Sequence, residues 1–126
     1  MVTELVIFRI EPGSGSRFEA AFAGVASLLA AADGYLRHRL VRTLDDADSY
    51  LLQVEWRDLA AHTEGFEPSE AHDRFIAALS PMLVAEPEVV HVPTDPRRTM
   101  SAETGSARSR VIESPLPGPL QAGDLS

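Results

Sequence analysis

Hydrophobic residues recur along this chain with two different periods, and the period changes at turn signals. Residues 4–10, Glu-Leu-Val-Ile-Phe-Arg-Ile, form a run rich in β-branched and aromatic side chains and predict a strand. Glu11-Pro12-Gly13-Ser14-Gly15 follows as a turn. Ser16 and Glu19 match a capping box, so a helix is expected to start at Ser16. Phe18, Phe22, Val25, Leu29 and Ala32 then recur every three or four residues and form one apolar stripe. Asp33-Gly34 ends that helix, with Gly34 suited to a left-handed position.

Period two returns in residues 35–43 and 49–56. The polar turn Asp45-Asp46-Ala47-Asp48 joins these two strands into a hairpin. In the second, Tyr50, Leu52, Val54 and Trp56 alternate with Leu51, Gln53 and Glu55. Asp58 is placed to cap a short helix ending at His62, and residues 64–68 read as loop. Ser69 is the expected N-cap of a second main helix, residues 70–83, with Phe75, Leu79 and Met82 on its stripe. Glu88-Val-Val-His-Val reads as a last strand.

The order is β-α-β-β-α-β, an α+β ferredoxin-like arrangement of residues 1–93. Helices cover one face of such a sheet. The strands are apolar on both faces, so a second copy of the chain is the expected cover, giving a homodimer. Residues 94–126 are rich in Pro, Ser and Gly and read as a flexible tail. Val111 and Ile112, with Leu116 and Leu120 beyond, form an apolar knot in it, and docking of this knot on a partner subunit is the alternative reading.

Composition narrows the chemistry. The formal charge is −8, which argues against nucleic acid and anionic membranes as partners. No window is long and apolar enough for a membrane span, and no basic leader precedes the first strand, so a cytoplasmic protein is expected. The chain has no cysteine, which removes disulfides, thiol catalysis and thiolate metal sites. Its 11 basic residues are all arginine, so Schiff-base chemistry on a lysine is impossible. It also has no asparagine.

Several motifs in sequence together resemble the antibiotic-biosynthesis-monooxygenase family. They are Pro12-Gly13, Gly34-Tyr35-Leu36, the run Trp56 to His62 with its Ala61-His62 pair, Ser69-Glu70-Ala71-His72, and Pro87-Glu88-Val89. The resemblance spans about residues 3–93 and rests on order and spacing rather than on any single motif. It implies a dimeric α+β barrel with a pocket in each protomer between sheet and helices. It also implies, for its best-known members, oxidation of anthrone-type aromatic polyketides by O2 without metal or flavin, with an Asn and a Trp helping to form a substrate carbanion. This chain departs from that pattern in having no Asn. The haem-degrading branch uses a Trp and a His that would fall near Gly65 and Ile76, so haem chemistry is not expected.

Histidine is the natural base for a phenol or an activated methylene near neutral pH. His72 leads: it shares a helical stripe with Ile76, Leu79 and Leu83 and stands in the Ser-x-x-His motif. His62 ends the short helix, where it either lines a pocket mouth or faces solvent. His38 alternates with Leu36 and Leu40 and is either a pocket base or an interface residue. His91 lies in the last strand and is read as structural. The spacing of these histidines matches no metal motif, and no carboxylate pairs with a histidine in a recognisable one. No metal and no cofactor are expected.

Arg37, on the strand with Arg39 and Arg42, is the candidate to hold a phenolate or enolate. Tyr35, Tyr50, Trp56, Phe66 and Phe75 are the candidates to grip a flat ring. The leading expectation is a cofactor-independent oxygenase acting on an aromatic, polyketide-like molecule with O2. The alternatives are a cyclase or isomerase using the same pocket, and a non-catalytic ligand-binding dimer.

Overall fold

Alternation in the first strand decides the layering. The computed structural model describes residues 1–94. Strand β1 (Val2–Arg9) is central, and it turns Glu4, Val6 and Phe8 to one side and Thr3, Leu5 and Ile7 to the other. Helix α1 (Gly15–Ala30) follows, then the hairpin of β2 (Tyr35–Arg42) and β3 (Ser49–Trp56), helix α2 (Glu70–Leu79) and strand β4 (Glu88–Pro93). The sheet order is β2-β3-β1-β4, antiparallel throughout, as expected for the ferredoxin-like α+β class.

The core lies between the sheet and the two helices. Phe8, Tyr50, Leu52, Val54 and Trp56 from the strands meet Phe18, Phe22 and Leu29 of α1 and Phe75 and Leu79 of α2. Phe18 sits between Phe8 and Tyr50, at centroid distances of 5.5 and 4.8 Å. The opposite face presents Leu5, Ile7, Val41, Leu51, Val90 and Val92, none of which belongs to the buried core. Val90 is 55% exposed. Among the described residues no helix is long and apolar enough to cross a membrane.

Local departures from the sequence expectations have simple causes. Helix α1 starts at Gly15, not Ser16, and the capping box does not form. Ser14 holds the N-cap position but its hydroxyl donates to the Glu11 carbonyl (2.7 Å). Glu19 accepts from the Tyr50 hydroxyl and lies 3.5 Å from Arg42, so a tertiary partner has taken it from the helix end. Helix α2 stops at Leu79, because Pro81 has no N–H to extend the ladder and Ser80–Met82 tightens into a 3₁₀ turn. Ser69 caps α2 as expected, accepting from the His72 N–H (3.1 Å).

The short helix after β3 runs past His62. Asp58 accepts from the Ala61 N–H (2.9 Å), and Ala61–Phe66 forms a π-helical turn closed by the Glu67 N–H donating to the His62 carbonyl (2.8 Å). Residues 64–66 are therefore helical rather than loop. Gly34 has φ +88°, and a Cβ there would fall 2.5 Å from the Ala61 side chain. Only glycine lets this turn pass so close beneath the π-helical segment. Apart from Thr94, the expected tail of residues 94–126, with Val111, Ile112, Leu116 and Leu120, lies outside the described residues.

Candidate active site

A carboxylate on the apolar face of β1 organises the site. Glu4 alternates with Val6 and Phe8, so its side chain points into the core rather than into water. Cross-strand register sets its neighbours. His91 of β4 lies directly opposite Glu4, and Trp56 of β3 lies opposite Val2, diagonal to Glu4. The Trp56 indole N–H donates to Glu4 Oε1 at 2.9 Å.

The π-helical turn lowers His62 onto this row. Its Nε2 lies 3.3 Å from Glu4 Oε2 and its Nδ1 lies 2.8 Å from His91 Nε2. The His62 ring stacks on Trp56 (5.4 Å, 29° between planes). Extra backbone in a π-turn is a common device at functional sites, where it re-aims a side chain. Glu4 is 7% exposed, His62 4% and Trp56 0%. The result is a chain Trp56–Glu4–His62–His91 that runs from the buried core to half-buried His91 on the otherwise exposed edge strand β4.

Burial sets the charge states. It pushes the Glu4 carboxyl up to about 7, against the opposing effect of the Trp56 hydrogen bond, and the negative charge of Glu67 adds to the rise. Burial likewise pushes His62 down to about 4, reinforced by the positive charges of His91 and His72 in their protonated forms and opposed by Glu67. Both groups are driven toward neutrality. The His62–His91 hydrogen bond can run in either direction, the tautomer of His62 deciding whether Nδ1 donates or accepts. Glu4 Oε2 faces the other ring nitrogen at 3.3 Å, which sets the carboxyl beside a group able to take up or return a proton.

This chain faces a cavity of about 260 Å3 between sheet and helices. Val6, Phe8, Leu52 and Val54 form its floor, and His72, Phe75 and Ile76 of α2 its wall. Phe66 closes one side, edge-on to His72 (5.3 Å) and 6.1 Å from Phe75. Glu67 and Glu86 line its solvent side. A larger groove, about 560 Å3, runs between the end of α1 and the π-turn. It is open, alanine is the commonest residue of its lining, and Arg57 pairs there with Asp33 and Asp58 (3.4 and 3.5 Å). It holds no buried titratable group, so the smaller cavity is the candidate site.

Of the residues singled out from sequence, His62, His72, Phe66 and Phe75 line the cavity. His38 does not. It stands on β2 against Phe22, and its Nδ1 pairs with the Tyr35 hydroxyl at 2.6 Å. Tyr35 packs edge-on to Trp56 rather than into the cavity. Arg37 points to the opposite face of the sheet, where it binds Glu55 through two hydrogen bonds (2.9 and 3.3 Å). It cannot hold an anion in this cavity. Tyr50 shares the face of Trp56 but lies six residues along the strand. Its hydroxyl is taken by Glu19 and by Arg42, which donates to it at 2.8 and 3.1 Å. Trp56 lies behind Glu4 and is wholly enclosed, so it orients the carboxylate and does not line the cavity.

No sequence motif pairs a carboxylate with a histidine, and the fold supplies the pairing by setting Glu4 beside His62, while His91, read from sequence as structural, hydrogen-bonds His62. One signal was present: a single acidic residue in an otherwise apolar alternation, Val2-x-Glu4-x-Val6-x-Phe8. Among the described residues, no group of three or more His, Asp or Glu is arranged to hold a metal. His62 spends both ring nitrogens on neighbours, so the side chains do not converge on a common point.

Comparison with known proteins agrees with this architecture. The family model described as antibiotic biosynthesis monooxygenase matches residues 1–78. An uncharacterised protein of Bacillus subtilis, YczJ, is 35% identical over 91 residues, which is 72% of this chain and 96% of that protein. A crystal structure from Bordetella bronchiseptica superposes with a TM-score of 0.71 at 23% identity, covering 75% of this chain and 96% of the other. SnoaB of Streptomyces nogalater, a cofactor-independent oxygenase crystallised as an asparagine-to-alanine variant, gives 0.65 at 26% identity, over 79% of this chain and 95% of its own. With a matching family model over more than half its length and a relative above 30% identity, the chain belongs to the antibiotic biosynthesis monooxygenase family.

Proposed function

We propose that this protein is a cofactor-independent oxygenase that binds a flat aromatic, anthrone-type molecule in the 260 Å3 cavity and deprotonates it with Glu4. The observation that carries this reading is the buried Glu4–His62 pair, which lines that cavity and is joined to His91 behind it. A general base works best when its pKa lies near the working pH, and Glu4 is held at about 7. When ionised, Glu4 accepts one bond from Trp56 on Oε1 and keeps lone pairs on both oxygens. His62 and His91 then carry the abstracted proton toward the edge strand. The carbanion passes electrons to O2, and an activated methylene leaves as a ketone with one water: one O2 consumed, one oxygen atom in each product. Family membership and the likeness to SnoaB support the oxygenase reading.

A homodimer is part of the proposal, since the sheet face bearing Leu5, Ile7, Leu51 and Val90 is left uncovered by the chain's own helices. The test of function is oxygen uptake. Purified full-length protein, stripped of metal and flavin, should consume O2 with an anthrone and release the anthraquinone, and Glu4→Gln should abolish this. Unchanged O2 and unchanged substrate would reject the oxygenase.

One observation favours a second reading with the same base. The chain has no asparagine, the residue that the family's anthrone mechanism is thought to use beside its tryptophan. A dehydrating cyclisation needs only the base and would lose water, whereas oxygenation gains oxygen, so product mass separates the two.

A further inference from the structure

The cavity's charge pattern bears on what it accepts. Its polar lining is three carboxyl groups, Glu4, Glu67 and Glu86, and two imidazoles, His62 and His72. Among the described residues no arginine lines it, and the chain has no lysine. Its remaining walls are aliphatic or aromatic, apart from Pro87. The Trp56 indole N–H behind Glu4 is already used on that carboxyl. The arginine expected from sequence to hold an anion, Arg37, is on the far side of the sheet.

We infer that this site selects an uncharged ring ligand and excludes one bearing a carboxylate or phosphate, through the apolar walls together with the carboxylates Glu67 and Glu86 at its solvent side. The inference rests on the reading of this cavity as the substrate pocket. Any ion entering it leaves water for apolar walls, a transfer that is unfavourable unless a counter-charge meets it. An anion finds none, and it must also pass two like charges. A cation gains from the carboxylates but gives up its hydration to walls that are mostly apolar. A neutral ring with a weakly acidic O–H or C–H incurs neither penalty, and its proton is offered directly to Glu4. The volume, about 260 Å3, lies just below the roughly 300–1,000 Å3 of drug-sized sites, in keeping with a few fused rings rather than a long conjugate.

A matched pair of probes tests this. Calorimetric titration of the full chain at pH 7.5 and low salt is run with methyl 1-hydroxy-2-naphthoate and with 1-hydroxy-2-naphthoate, which share a ring and differ in the ester or carboxylate. The ester is expected to bind more than about tenfold tighter. In the Glu67→Gln, Glu86→Gln double variant, both positions being exposed, the acid should tighten by about threefold or more while the ester stays unchanged. Circular dichroism confirms that the variant is folded. Equal or tighter binding of the acid, a preference unchanged in the double variant, or no binding of either probe overturns the inference. Failure of the oxygenase reading is seen separately: binding needs no O2, so an ester-selective protein that oxidises nothing would reject the oxygenase and keep the charge selection.

Discussion

Replacing Glu4 by glutamine should make the protein more stable at pH 8 and leave the difference small at pH 5. The carboxyl stands at about 7 in the folded protein against 4.5 as an unperturbed group. A raised acid binds more protons in the native state than in the unfolded one between those values, so its contribution is fully present below pH 4.5 and is lost as pH rises through 7. At about 1.4 kcal/mol per unit, the gap amounts to roughly 3 kcal/mol once the carboxylate is ionised. Glutamine reproduces the neutral form: its carbonyl can accept from the Trp56 indole as the carboxyl does. It does not ionise. The titration of His62 is common to both proteins and cancels in the comparison.

Urea unfolding at fixed protein concentration, at pH 5, 6, 7 and 8, measures the effect. With m of about 1–3 kcal/mol/M, the midpoint of Glu4→Gln should gain roughly 1–3 M on the wild type between pH 5 and pH 8. A difference that does not change with pH would refute the reasoning. So would a Gln variant that becomes relatively weaker at pH 8, because Glu4 would then be a stabilising carboxylate paired with a charged imidazole.

Two further outcomes follow from the geometry. His62 is depressed from 6.5 to about 4, so its contribution is present above pH 6.5 and is lost as pH falls toward 4; His62→Gln should therefore lose less stability than the wild type, by about 3 kcal/mol, in acid unfolding between pH 7 and pH 4. Gly34→Ala forces a side chain into a positive-φ position 2.5 Å from the Ala61 methyl group, and thermal unfolding should show a loss of about 1–3 kcal/mol; an unchanged Tm would mean that the turn relaxes.

Period and punctuation made much of the fold legible. The alternation Tyr50-Leu52-Val54-Trp56 and the stripe Phe18-Phe22-Val25-Leu29 each state a period, and Asp33-Gly34 and Ser69 mark helix ends by local backbone chemistry. These are properties of a few neighbouring residues, so sequence alone displays them. The capping box at Ser16 failed because Glu19 had a stronger claim from residues far along the chain, Tyr50 and Arg42.

The site was legible only in part, and for the same reason. The residue types of His62, His72, Phe66 and Phe75 marked them as candidates, and all four line the cavity. Arg37 alternates with His38 and Leu40, so it falls on the other face of the sheet, where Glu55 binds it; the register irregularity between Tyr35 and Arg37 instead turns Tyr35 to the side of Trp56. Glu4 and His91 are 87 positions apart and became neighbours through the pairing of β1 with β4, while the π-turn sets His62 beside both. Sequence by itself determined the strands, the helices and the absence of lysine, cysteine and asparagine. Tertiary structure alone decided which carboxylate meets which imidazole. Burial and cross-strand register, which no local window contains, bring Glu4 toward neutral pH and turn it from a surface-type charge into a candidate base.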